Sequence, residues 1–173
     1  MKKEYDIEKL NPRKNPYFKK LTISKYRIEK VKLSKSIMDE LINLSKLWKE
    51  EAISIGITPN TKKDFVSKDI YVSYNSNNKI VGYLLCSYFV ENKEKPTIPP
   101  GSKVCFVDEL YVMKRYRNKG IGRMLFNKMK QDIKGKCTYI ELVSSTKDYE
   151  KIINFYRNIL DMNLWSTMFY KKI

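Results

Sequence analysis

The period of the hydrophobic pattern changes at residue 120, and that change constrains the fold of this chain more than any other feature. Residues 104–112, which include Val104, Phe106, Val107, Tyr111 and Val112, have the β-branched and aromatic content of a strand. From Gly120 onward, Ile121, Met124, Leu125, Met129 and Ile133 recur at three to five residues, marking one apolar helix face, with Gly135 as a stop. A second β-rich run covers 138–143. Strand, helix, strand is a crossover, so the two strands it joins lie parallel in one sheet.

The remaining segments extend that sheet. Residues 26–31 alternate apolar and charged, as in a half-buried strand. Ser34 caps a helix whose face carries Ile37, Leu41, Leu44 and Trp48, with Leu47 beside them, ended by Gly56 and Pro59. Residues 57–69 are a loop or short helix, placed where substrate-facing elements can sit. Residues 70–74 and 80–89 form a hairpin around Asn75 to Asn78. A helix over about 148–159 and a last strand over 165–171 complete the chain. The expected fold is α/β (α+β): a single domain with a mixed, mostly antiparallel central sheet, one parallel strand–helix–strand crossover, and helices on both faces. Residues 1–24 are polar and basic, with Pro12 and Pro16. They read as an N-terminal extension to a domain over 25–173.

Composition removes several chemistries. The 173 residues contain no histidine, which excludes Ser-His and Cys-His nucleophilic machinery built from this chain alone and argues against a transition-metal centre. Cys86, Cys105 and Cys137 are odd in number and lack zinc-site spacing, so free thiols are expected, buried for Cys86 and Cys105. Lys and Arg total 35 against 19 Asp and Glu, a net charge of +16 that favours polyanionic partners: a phosphorylated cofactor, nucleic acid or an anionic surface. No apolar run reaches the roughly 18–20 residues that cross a bilayer, and the first residues lack the apolar stretch of a secretory signal. A cytoplasmic protein without membrane contact is the expectation.

The chemistry concentrates where the period changes. After the strand ending at Val112, the ten residues 114–123 that lead into the helix carry five basic residues, Lys114, Arg115, Arg117, Lys119 and Arg123, with Gly120 and Gly122 among them. A basic, glycine-opened helix start directs unpaired N–H groups and the positive end of the helix dipole at one point, which is an arrangement for phosphate. It is not a dinucleotide fingerprint, because the third glycine position is Leu125, and it lacks the Gly-Lys-Ser/Thr ending of a P-loop.

Leu110-Tyr111-Val112, Tyr116-Arg117-Asn118-Lys119-Gly120-Ile121-Gly122 and Leu125 together resemble the acetyl-CoA motif of the GNAT acetyltransferases, and Ile152-Ile153-Asn154-Phe155-Tyr156 resembles the family's later helix. The resemblance spans residues 70–173, with 26–69 following only the order of elements; Val107 to Val112 and Ile153 to Tyr156 look most like the polyamine-type members. It implies an N-acetyltransferase that passes an acetyl group from acetyl-CoA to an amine in a ternary complex. Backbone of Leu110, Tyr111 and Val112 would bond the pantetheine arm. The N–H groups of Asn118, Lys119, Gly120, Ile121, Gly122 and Arg123, with Arg117 near, would hold the pyrophosphate. Tyr156 would protonate the departing thiolate. The base is Glu109 or Asp108: strand alternation sets Asp108 with Leu110 and Val112, and Glu109 with Tyr111, unless a bulge intervenes. Glu109 is the first choice, as the residue less suited to share a face with the core. Two positions depart from the family pattern. Tyr149 stands where an asparagine is usual, and Leu160 to Asn163 replace a glycine, with Asp161 or Asn163 able to adopt the left-handed cap. The acceptor is left open between a small amine, a peptide amine and an aminoacyl-tRNA, the last in a toxin-type enzyme. A non-catalytic module binding CoA or nucleic acid is the other class. A homodimer is expected from the family.

Overall fold

The computed structural model of the protein describes residues 25–168 and residue 171. The extension over 1–24 lies outside the described residues. Five strands form one sheet in the order β1 (Arg27–Val31), β2 (Asp69–Tyr74), β3 (Ile80–Val90), β4 (Lys103–Val112) and β5 (Tyr139–Glu141). Every neighbouring pair is antiparallel except β4 and β5, which are parallel. The parallel pair is the one the crossover predicts.

A long helix covers each face. Helix α1 (Lys35–Glu50) starts at Ser34, whose Oγ accepts from the Ile37 N–H at 3.3 Å. Its Leu41 and Leu44 pack on Ile70, Val72, Tyr83, Leu85 and Tyr111. Helix α2 (Ile121–Asp132) lays Ile121, Leu125, Phe126 and Met129 against Tyr71, Val81, Leu84, Cys86, Cys105 and Val107 on the opposite face. With both faces covered, β2 and β3 are buried along most of their length and read as apolar runs rather than alternating ones. Cys86 and Cys105 are buried free thiols, as expected. No helix among the described residues is long and apolar enough to cross a membrane.

Two irregularities shape the sheet. In β4, Glu109 pairs with Leu85 and Val107 with Cys86, which leaves Asp108 as the extra residue of a β-bulge. The bulge reverses the side-chain phase, so Val107 joins the α2-side core while Tyr111 joins the α1-side core. The second irregularity is the shortness of β5. It pairs with β4 only from Val104 to Phe106, so among the described residues β4 beyond Phe106 has no strand on that side. The sequence predicts a strand over 138–143; the chain instead leaves the sheet, and its backbone bonds the segment after α1, with the Ile55 N–H on the Ser145 carbonyl and the Lys147 N–H on the Ile53 carbonyl, both at 2.9 Å. Backbone groups satisfied there are not available to lengthen the ladder.

Helix α3 (Tyr149–Ile153) runs into a π-helical turn, Asn154–Ile159, together filling the span predicted for one helix. Asp161 adopts φ +57° and ends it, the left-handed role expected of Asp161 or Asn163. The predicted strand over 165–171 is corrected at 165–168: residues 161–168 form no strand, and Met168 is 92% exposed. Residues 169 and 170 lie outside the described residues. β-Propensity at Trp165 to Met168 finds no ladder to join, because propensity stabilises a strand only through cross-strand partners.

Candidate active site

The strand–helix junction has the geometry expected of it. After β4 a short 3-10 turn (Lys114–Tyr116) leads to Asn118 at φ +59° and Gly120 at φ +78°, both left-handed, with Gly120 as the N-cap of α2. Asparagine tolerates that region best among residues with a Cβ, after which only glycine is free of strain. Among the described residues the N–H groups of 118–123 donate to no protein acceptor; the first N–H to do so is that of Met124, on the Gly120 carbonyl at 2.9 Å. Asn118, Lys119, Gly120 and Arg123 are exposed. Six N–H groups without a protein acceptor and the positive end of α2 therefore lie together at a largely exposed junction.

The two glycines serve different needs. A Cβ on Gly120 would meet nothing within 4 Å, so the requirement there is conformational. A Cβ on Gly122 would lie 3.1 Å from Cζ of Phe155, so that glycine lets the π-helical turn pack on α2. The sequence reading gave both to the phosphate site; at Gly122 the packing of Phe155 is a further need that it did not anticipate.

The side chain of Arg117 is committed inside the protein. Its Nε donates to the Val112 carbonyl at 2.9 Å and its guanidinium to Glu51 at 2.5 Å, above the Tyr111 ring at 5.7 Å. Glu51 also accepts from the Tyr111 hydroxyl at 2.8 Å, and that ring stacks on Trp48 at 5.3 Å. Lys119 reaches back to the Arg115 carbonyl at 3.0 Å. What the junction offers an anion is backbone first and side-chain charge second.

The open edge of β4 adjoins this junction. The Met113 N–H bonds the Val81 carbonyl on β3 at 3.0 Å. Successive peptide groups alternate sides, so the Tyr111 N–H also points to β3, whereas those of Leu110 and Val112 point to the open edge. The Val112 carbonyl lies on that same side, where Arg117 takes it. Of the three residues proposed for a pantetheine arm, two therefore have an N–H to offer.

The carboxylates stand at the bulge. Asp108 Oδ1 pairs with Lys68 at 2.9 Å, while its Oδ2 is buried without a partner among the described residues. Glu109 Oε2 accepts two hydrogen bonds, from the Tyr83 hydroxyl at 2.6 Å and from Asn60 Nδ2 at 2.8 Å. Contrary to the sequence reading, Glu109 does share a face with the core, beside Tyr83 and Tyr111; the two donors make its burial tolerable. Burial raises its pKa above the ordinary carboxylate value and outweighs both hydrogen bonds and the Lys68 charge. Tyr156 packs from the π-helical turn on the α2-side core, edge-on to Phe155 at 5.2 Å, and burial pushes its phenol up to about 12. The structure thus brings Asp108 and Glu109 together at the bulge and sets Tyr156 on the α2 side.

Sequence reading missed Asn60, Lys68 and Glu51, and placed Tyr83 only within the strand over 80–89. The only signal was the position of 57–69 as a candidate substrate-facing segment, because the partners of Glu109 stand 26 and 49 residues away from it.

The model of the acetyltransferase (GNAT) family matches residues 38–161. No curated protein matches the sequence significantly. Solved structures with the same fold include a protein of Bacillus halodurans, 19% identical over 85% of this chain and 99% of that one with a TM-score of 0.63. An aminoglycoside acetyltransferase from an uncultured soil metagenomic sample is 17% identical over 86% and 96%, with a TM-score of 0.62. The aminoglycoside 6'-N-acetyltransferase of Acinetobacter baumannii is 14% identical over 86% and 97%, with a TM-score of 0.56.

Proposed function

This chain belongs to the acetyltransferase (GNAT) family and is an acyltransferase; from that premise we propose that it passes an acetyl group from acetyl-CoA directly to an amine held at the open edge of β4. The observation that carries the proposal is the run of six unpartnered N–H groups at 118–123 adjoining a strand edge that is itself unpaired. These residues fit coenzyme A: the N–H groups suit a diphosphate, and those of Leu110 and Val112 suit an amide-bearing arm laid along the strand. When bound, acetyl-CoA supplies an activated thioester acyl group.

The chain's own residues do the rest. An amine reaches the site as an ammonium ion and must lose a proton before it can attack. Glu109 takes that proton; a carboxylate whose pKa is raised by burial is a better base than a solvated one. Asp108, with one oxygen on Lys68 and the other free, orients the amine. Tyr156 gives a proton to the leaving thiolate, and a phenol with a pKa of about 12 retains its proton until then. Orientation of the two substrates contributes most of the rate gain.

Calorimetry with coenzyme A tests the reading. Uptake by the native chain, abolished in a Gly120→Val variant that still folds, supports it; no heat with the native chain overturns it. For the acceptor, the +16 charge supports an aminoacyl-tRNA, whereas the aminoglycoside acetyltransferases among the similar structures support a small amine. Parallel assays on polyamines, aminoglycosides, peptides and charged tRNA decide between them. Charged tRNA left unmodified removes the tRNA reading.

A further inference from the structure

A buried tyrosine hydroxyl needs one acceptor, and any backbone carbonyl would satisfy it. Tyr83, with 0% of its surface exposed, instead donates to Glu109 Oε2, and Asn60 donates to the same oxygen. Tyr83 stands on β3, in register with Tyr111. Asn60 is seated on α1 through its backbone: its N–H donates to Ser45 Oγ at 2.8 Å, and Ser45 Oγ donates to the Ile42 carbonyl at 2.8 Å. Two segments distant in sequence thus converge on one carboxylate oxygen of a third. Oε1 receives neither bond.

Resting on the assignment of Glu109 as base, we propose that Tyr83 and Asn60 are positioning residues that clamp Glu109 by Oε2 and so turn Oε1 alone toward the incoming amine. The clamp has a second consequence. A donor to a carboxylate favours its ionised form, and here two donors act against the burial that raises its pKa. The charges that bear on Glu109 from neighbouring elements are Lys68, which lowers its pKa, and Asp64, which raises it. Removing either clamp donor leaves burial less opposed, so the carboxyl titrates at a higher pH. Since a base works only when ionised, the acidic limb of kcat/KM moves upward.

The test compares Tyr83→Phe, Asn60→Ala, their double variant and Glu109→Gln. Two readouts are used: thiol release with acetyl-CoA and whichever panel amine turns over fastest, and the titration of carbon-13-labelled glutamate carboxyls by NMR, which needs no acceptor. Tyr83→Phe and Asn60→Ala should each raise the acidic limb and the Glu109 titration by up to about one pH unit, and the double variant by more, because a hydrogen bond to a charged group changes the balance by about that much. Asn60→Ala keeps the backbone bond to Ser45, so the loop stays seated. If Glu109→Gln is inactive while the single variants only lower the melting temperature and leave limb and titration unmoved, the clamp is structural and the inference fails, with the base intact. If Glu109→Gln turns over at the native rate, the base assignment fails and the clamp loses its role with it.

Discussion

The start of α2 and the bulge of β4 are joined by the same strand, yet they are built in opposite ways. At the start of α2 everything needed lies within a dozen consecutive residues: a strand end, two left-handed positions at Asn118 and Gly120, and free N–H groups. Local backbone conformation alone produces that site. At the bulge, Asp108 and Glu109 are adjacent in the chain, but their partners come from the loop after α1, from β3 and from the residue preceding β2. Tertiary packing produces that site. The first should bind anions whatever becomes of the second, and the second should lose its chemistry without any change in the first.

The sharpest way to break this comparison is to cross the two sites. Glu109→Gln should lower kcat by about 10²–10⁴, the range for a lost general base, and leave the calorimetric affinity for coenzyme A unchanged. Gly120→Val should do the reverse, removing affinity, because a β-branched residue is strained at φ +78° and the loop must rearrange. If Glu109→Gln weakens coenzyme A binding as much as Gly120→Val does, the two sites are one unit and the division fails.

Tyr156→Phe ranks next, with a fall of about 10- to 100-fold in turnover at constant affinity for coenzyme A. The native enzyme should also keep its rate on the alkaline side until pH approaches 12, since a donor phenol must be protonated and burial holds this one near that value. A rate profile that declines from pH 9, with a stable fold and substrate amine accounted for, would take Tyr156 out of the reaction.

How legible each region is in the sequence follows from how it is built. The crossover, the hairpin and the faces of α1 and α2 are each written in a local period, and the structure holds all of them. Position 120 is legible for the same reason: a glycine at a helix start has a conformational meaning that needs no distant partner. Position 122 is not, because its neighbour Phe155 comes from another helix. The carboxylates could be singled out by type and motif, but not their environment, because no periodicity marks Asn60 or Tyr83 as neighbours of Glu109. The strand predicted over 165–171 is absent over 165–168 for the same reason: propensity is local, and the edge a strand pairs with is not. The two glycines convert this into a measurement. Gly122→Ala should cost about 1–3 kcal/mol in stability by overpacking against Phe155, with little change in coenzyme A affinity. Equal losses of affinity at 120 and 122 would return both glycines to the diphosphate.

The smallest expected effect bears on the contact that ties the loop before α2 to α1. Glu51, at the C-terminus of α1, holds both Arg117 and the Tyr111 hydroxyl, in an ion pair whose side chains are 13% and 33% exposed. Glu51→Gln keeps an acceptor for the tyrosine but removes the charge opposite Arg117. A pair this open to solvent is worth at most about 1 kcal/mol, so melting should fall by a few degrees. Coenzyme A affinity should stay within about threefold of native, because the diphosphate is proposed to be held by backbone N–H groups rather than by Arg117. The salt dependence of binding sharpens this. An Arg117 that remains internal leaves the slope of log affinity against log salt unchanged, whereas an Arg117 released to the diphosphate steepens it. A tighter complex with a steeper slope in Glu51→Gln would make the ion pair a latch between the acceptor side and the coenzyme side, and the two regions contrasted here would be coupled through a single arginine.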